Sequence, residues 1–89
     1  GIYSTNPATF KFTLQTTVSV PTKNLIIAIK NKNGKRFDFS VAGNVTLAGT
    51  QSYTRKKTLP VGQYTYWIAY YRAYLGWTNL SPVKSFQLQ

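Results

Sequence analysis

Residues 64–78 hold seven aromatic side chains in fifteen positions: Tyr64, Tyr66, Trp67, Tyr70, Tyr71, Tyr74 and Trp77. Rings at that density either fill a core or offer electron-rich faces on which a ligand can stack. Little else in the chain could do chemistry. Its 89 residues include 11 Lys/Arg, a single acid (Asp38), and no His, Cys or Met. Glycoside hydrolysis by paired carboxylates needs two acids. Nucleophile–His arrangements need an imidazole, and zinc sites need thiolate or imidazole ligands. A calcium cage needs several carboxylates. The expectation is a binding or structural module with formal charge +10, with no catalytic residue, no metal and no cofactor.

The length fits one domain spanning residues 1–89, with no linker and no internal repeat. A domain of this size buries roughly 60–65% of its unfolded surface. With no disulfide or metal to help, the core must come from aliphatics and from two Trp, seven Tyr and five Phe. Only 13% of residues are charged, too few for a disordered basic tail. No apolar run approaches the 18 residues of a helical membrane span. A chain opening Gly1-Ile2-Tyr3 without an initiator Met is expected to be a processed or excised domain. The absence of cysteine is compatible with a secreted, extracellular setting.

Strands must position the aromatic cluster. Thr9 to Thr16 alternates apolar and polar with period two. Pro21 breaks the chain. Leu25-Ile26-Ile27-Ala28-Ile29 is a short β-branched run suited to a central strand. Asn31-Lys32-Asn33-Gly34 supplies a turn, and Lys35 to Val41 returns as the hairpin partner. Gly43 and Gly49 bracket a short strand, Asn44 to Ala48. Ser52 to Leu59 reads as a separate edge strand, whose Arg55-Lys56-Lys57 run discourages edge pairing. Leu59 to Tyr64 is a turn feeding a long strand, Tyr64 to Arg72. Residues 73–79 read as a loop, and Val83 to Leu88 as the last strand. Helical periodicity is nowhere sustained. Seven or eight short strands predict a single antiparallel β-sandwich.

Leu59-Pro60-Val61-Gly62-Gln63-Tyr64 resembles the L-x-P-G-x-Y signature of fibronectin type III and related immunoglobulin-like domains. Pro60 and Gly62 stand one residue wider than the family's adjacent pair. The family's tryptophan on the third strand has no counterpart in Leu25 to Ile29. The resemblance implies a tyrosine corner: the Tyr64 hydroxyl bonding back to upstream backbone.

A corner Tyr64 points inward, and strand alternation then turns Tyr66, Ile68 and Tyr70 inward with it. Thr65, Trp67, Ala69 and Tyr71 point outward. Trp67 and Tyr71 stand about 13 Å apart at normal strand rise, and exposed aromatic patches mark binding sites. Neighbouring strands add Ile26, Ala28 and Lys30, then Arg36 and Asp38, then Ser85 and Gln87. The candidate ligand-binding residues are therefore Trp67, Tyr71, Tyr74 and Trp77 for stacking, with Lys30, Arg36, Asp38 and Asn79 for hydrogen bonding. Sugar rings suit such a face, because their axial C–H bonds stack on aromatic faces. The bland alternatives are that Trp67 and Trp77 serve the core or anchor a loop, and that Asp38 is a local partner for Arg36.

Tyr64 to Tyr71 followed by Leu75-Gly76-Trp77 is also similar to the tyrosine-tryptophan strand and glycine loop of β-1,3-glucan-binding sandwich modules. That resemblance implies a monomeric, non-catalytic module that anchors a covalently linked, secreted catalytic domain to an insoluble β-glucan. β-1,3-Glucan comes first, with cellulose or chitin behind it. Two alternatives stand beside it: an adhesive or structural spacer in a multidomain surface protein, and a polyanion binder for acidic glycan or nucleic acid. Basic residues are scattered, with clusters only at Lys30 to Arg36 and Arg55 to Lys57. No RNP, Gly-x-x-Gly or zinc-finger signature supports nucleic acid. Asn44-Val45-Thr46 and Asn79-Leu80-Ser81 match the N-glycosylation pattern at about the frequency chance gives.

Overall fold

The computed structural model describes residues 3–89, Tyr3 and Ser4 by their backbone. Eight strands and no helix are found among them: β1 (Tyr3–Ser4), β2 (Ala8–Pro21), β3 (Asn24–Asn31), β4 (Phe39–Gly43), β5 (Thr46–Lys57), β6 (Gly62–Arg72), β7 (Gly76–Asn79) and β8 (Lys84–Leu88). They form two sheets. The larger runs β1-β8-β6-β3-β4, with β7 also paired to β6, and the smaller is β2-β5. Every pairing is antiparallel except β1 with β8.

The sheets meet through one apolar core. Phe10 of β2 and Leu47 of β5 face Leu25, Ile27 and Ile29 of β3, together with Tyr64, Ile68 and Tyr70 of β6 and Leu88 of β8. Alternation produces this directly: every second residue of β3 and β6 enters the core. Burial of these side chains supplies the main folding drive, at roughly 1.5–3 kcal/mol for each large apolar group.

The connection from β5 to β6 is pinned from two sides. The Asn6 side chain donates to the Leu59 carbonyl (2.7 Å) and accepts from the Leu59 N–H (3.0 Å). The Tyr64 hydroxyl donates to the Pro60 carbonyl, satisfying a buried phenol within its own turn. Burial also pushes the Tyr64 pKa above its ordinary value of 10.0, because the phenolate would lose its hydration.

The first long strand runs past Thr16 to Pro21, which is its last paired residue and not a break before it, and three further boundaries differ from the sequence expectation, each for a local reason. Asn44–Ala48 and Ser52–Leu59 are not separate strands. β5 runs through Gly49, whose φ of +64° lets the ladder bend there. The register with β2 shifts between Thr16 and Val20, so Gly49 marks a bulge and not an end. The return of Lys35 to Val41 does not pair regularly until Phe39. Ile29 donates its N–H to the Asp38 carboxylate (2.9 Å) and accepts from the Phe37 N–H (2.8 Å), so a side chain interrupts the backbone ladder. Residues 76–79 are a strand and not a loop. Leu75 donates to the Arg72 carbonyl (3.1 Å), and positive φ at Tyr74 and Gly76 reverses the chain within one turn.

Candidate functional site

Among the described residues, the outer face of the larger sheet has no second layer over it. Its rows follow from register. Trp77 lies opposite Tyr71, and Tyr71 opposite Asn24. Asn79 lies opposite Ala69, Ala69 opposite Ile26, and Ile26 opposite Ser40. Trp67 is paired with Ala28, while Thr65 stands between Ser85 and Lys30. Lys30 in turn bridges to Arg36.

Trp67 is outside the inter-sheet core and packs against Ile26, Ala28 and Ala69 in a separate cluster. Its small neighbours leave room for the indole to lie on the sheet. Both alanines are nearly inaccessible as a result, at 1% and 3% exposure. The Trp67 ring is not a bare platform, however. The Arg36 guanidinium sits 5.0 Å from its centroid. Asp38 holds Arg36 there with two bonds, Nε to Oδ1 (3.0 Å) and Nη2 to Oδ2 (2.7 Å). A bidentate guanidinium over an indole is a favourable arrangement, combining fork geometry with attraction to the ring quadrupole. Asp38 Oδ1 also accepts the Ile29 N–H. Both members of the ion pair are thus engaged within the protein, and one face of Trp67 is covered.

The open aromatic surface lies at the other end of the face. Tyr71 and Trp77 are direct cross-strand neighbours, with centroids 5.2 Å apart and planes inclined at 51°. Trp77 is 55% exposed and Tyr74 fully so. Tyr74 occupies the turn tip at a φ of +66°, a conformation uncommon for a bulky residue. Asn79 is exposed two residues beyond Trp77, and Lys30 is exposed at the far end of the face. The structure therefore gathers Tyr71, Tyr74, Trp77 and Asn79 at one end, and Trp67, Arg36, Asp38 and Lys30 at the other.

Sequence reasoning missed two features of this face. Asn24 accepts from the Ser40 hydroxyl (2.6 Å) beside Tyr71, a juxtaposition that depends on the β3–β4 register. Below Trp67, Gln63, Thr65, Ser85 and Gln87 line a shallow cavity of about 440 Å³ together with Asn31, Lys32, Tyr64 and Phe86. The Thr65 hydroxyl there is buried without a partner among the described residues. Alternation places these side chains on the face, but only strand order shows that they adjoin.

Charge is arranged unusually. Five cations lie over rings: Lys35 on Phe37, Arg36 on Trp67, Arg55 on Tyr53, Lys57 on Phe39 and Arg72 on Tyr70. Roughly one such contact per 70–80 residues is usual. With one carboxylate in the chain, aromatic faces take the place that acids normally fill. Among the described residues no cluster of His, Cys, Asp or Glu could hold a metal, and no helix is long and apolar enough to cross a membrane. Comparison with known proteins finds no matching family model, no matching curated relative and no matching solved structure.

Proposed function

We propose that this protein is a non-catalytic polysaccharide-binding module, with its ligand stacked on the outer face of the larger sheet. The observation that carries the reading is the uncovered Tyr71–Trp77 pair with Tyr74 beside it. Rings left in water on a flat sheet are costly unless a partner covers them, and sugar C–H faces are suited to tilted Trp and Tyr rings. Asn79, Asn24 and Ser40 supply donors and acceptors for hydroxyls at that end.

The 51° tilt between Tyr71 and Trp77 bears on the glycan. A flat cellulose ribbon needs coplanar rings in a row, whereas inclined rings fit a chain that curves. β-1,3-Glucan is therefore the favoured ligand, ahead of cellulose or chitin. In this reading the module is secreted and monomeric and anchors a linked catalytic domain to its insoluble substrate. We also read the fold as an immunoglobulin/fibronectin III-like sandwich. The strand order β1-β8-β6-β3-β4 against β2-β5 supports this, as does the Tyr64–Pro60 hydrogen bond in the position of a tyrosine corner.

Retention on insoluble glycans at low and high salt tests the function. Retention that survives high salt and is lost in Trp77→Ala is the expected result. Retention that collapses with salt points to the polyanion reading, which the charge of +10 favours. No retention on any glycan or nucleic acid sinks both and leaves a structural spacer.

A further inference from the structure

Three chain segments converge where β6 turns into β7: Thr22–Lys23 after β2, Asn44–Thr46 before β5, and Arg72–Leu75. Backbone bonds fix them together. Lys23 donates to the Tyr71 carbonyl (2.7 Å), and Asn44 donates to the Lys23 carbonyl (2.9 Å). The Thr22 N–H and hydroxyl both reach the Val45 carbonyl, at 2.9 and 2.7 Å. Between the segments lies a cleft of about 450 Å³, whose lining includes Thr22, Lys23, Asn44, Thr46, Arg72 and Leu75.

The cleft has two cations and no anion. Arg72 Nε is buried and has no acceptor among the described residues. Folded proteins seldom leave such a donor unpaired, because the desolvation cost is not recovered. The guanidinium carbon stands 5.8 Å from the centre of the Tyr70 ring, which steadies the group while its N–H edge still lacks a partner. Asp38, the only acid in the chain, is bonded to Arg36 and to the Ile29 N–H. Ile29 lies five residues down β3 from the cleft end at Asn24, roughly 17 Å at strand rise. No side-chain carboxylate of the chain is placed to serve Arg72 or Lys23.

We propose that this cleft binds an oxyanion, a carboxylate or sulfate group, with Arg72 and Lys23 as its cationic ligands. Guanidinium forks match the geometry of such groups. Thr22, Asn44 and Thr46 add polar atoms to the lining. Arg72 follows Tyr71 in β6, so its side chain leaves the sheet on the other side, over the Tyr70 ring, and the cleft is a site separate from the Tyr71–Trp77 pair.

The test uses nitrogen-labelled protein titrated with sodium sulfate or sodium acetate against sodium chloride at equal ionic strength. A saturable shift of the Arg72 Nε–H signal and the Lys23 and Asn44 amides is expected with the oxyanions alone. Lys23→Gln should weaken binding roughly tenfold, and Arg72→Gln should abolish it. Lys23→Gln keeps the test decisive if Arg72→Gln does not fold. Shifts that match chloride overturn the site, even if neutral β-1,3-glucan binds. Oxyanion binding in the cleft with no binding of neutral glucan supports the site while sinking the neutral-glucan reading.

Discussion

The two faces of β6 carry similar aromatic content and meet opposite fates. Tyr64, Tyr66 and Tyr70 turn inward, where β8 of the same sheet and the β2-β5 sheet supply partners. Tyr64 stacks on Phe86 at 5.3 Å, and Tyr66 meets Phe10 edge-on at 5.2 Å. Trp67 and Tyr71, on the alternate positions, have no covering sheet. Trp67 packs on alanines beneath Arg36, and Tyr71 leans on Trp77. Inside, rings are held by other rings and by exclusion of water. Outside, they take a cation or each other, and the surface still uncovered is open to a ligand. The same residue types thus serve the core on one face and, in the proposed function, recognition on the other, and alternation decides which.

Substitutions can break or sharpen that contrast. The largest effect is expected inside. Phe10→Ala removes a buried ring that touches Phe39, Tyr66 and Phe86, and should cost about 3–5 kcal/mol in urea unfolding. Tyr64→Phe leaves the Pro60 carbonyl without its donor and should cost about 1–3 kcal/mol. It should also alter the alkaline limb of stability. Tyr64 has a raised pKa in the folded state, so its phenol ionises first in the unfolded chain. Its contribution is complete below pH 10 and falls as pH rises above that value. Unfolding measured from pH 8 upward should show a decline in the native protein that is shallower in Tyr64→Phe.

Outside, the order of effects reverses. Trp77→Ala should change stability by less than about 0.5 kcal/mol while weakening glycan binding about tenfold, roughly 1.4 kcal/mol. A large loss of stability there would erase the distinction between the faces. The smallest effect is expected for Arg36→Gln, which uncovers Trp67 at a cost below about 1 kcal/mol. In a Trp77→Phe background, indole fluorescence should report the uncovering. An unchanged spectrum would mean that Arg36 does not rest on Trp67 in solution.

Much of the sheet was legible because alternation is written in the chain. The sides taken by Trp67, Ile68, Ala69 and Tyr70 follow from a single inward residue, Tyr64. Elements containing glycine or asparagine were less legible. Gly49 and Gly76 read as punctuation, yet one sits within β5 and the other begins β7, because positive φ bends a ladder as readily as it ends one. The cover over Trp67 was hidden for another reason. Arg36 and Asp38 were placed on the right face as hydrogen-bonding groups, but their mutual bond and the Ile29 N–H fix where the guanidinium lies. The Lys23–Arg72 cleft was invisible, since its residues stand 49 positions apart in the chain.

By itself the sequence determined a chain with one acid, no imidazole and no thiol, built of strands whose side chains alternate. These are properties of composition and of local backbone geometry. Only the tertiary structure decided which rings are open, which cations rest on aromatic faces, and which donor is left without an acceptor. Those outcomes depend on strand order and register, which bring distant residues within van der Waals reach. Packing across a sheet is a long-range property, and no local pattern encodes it.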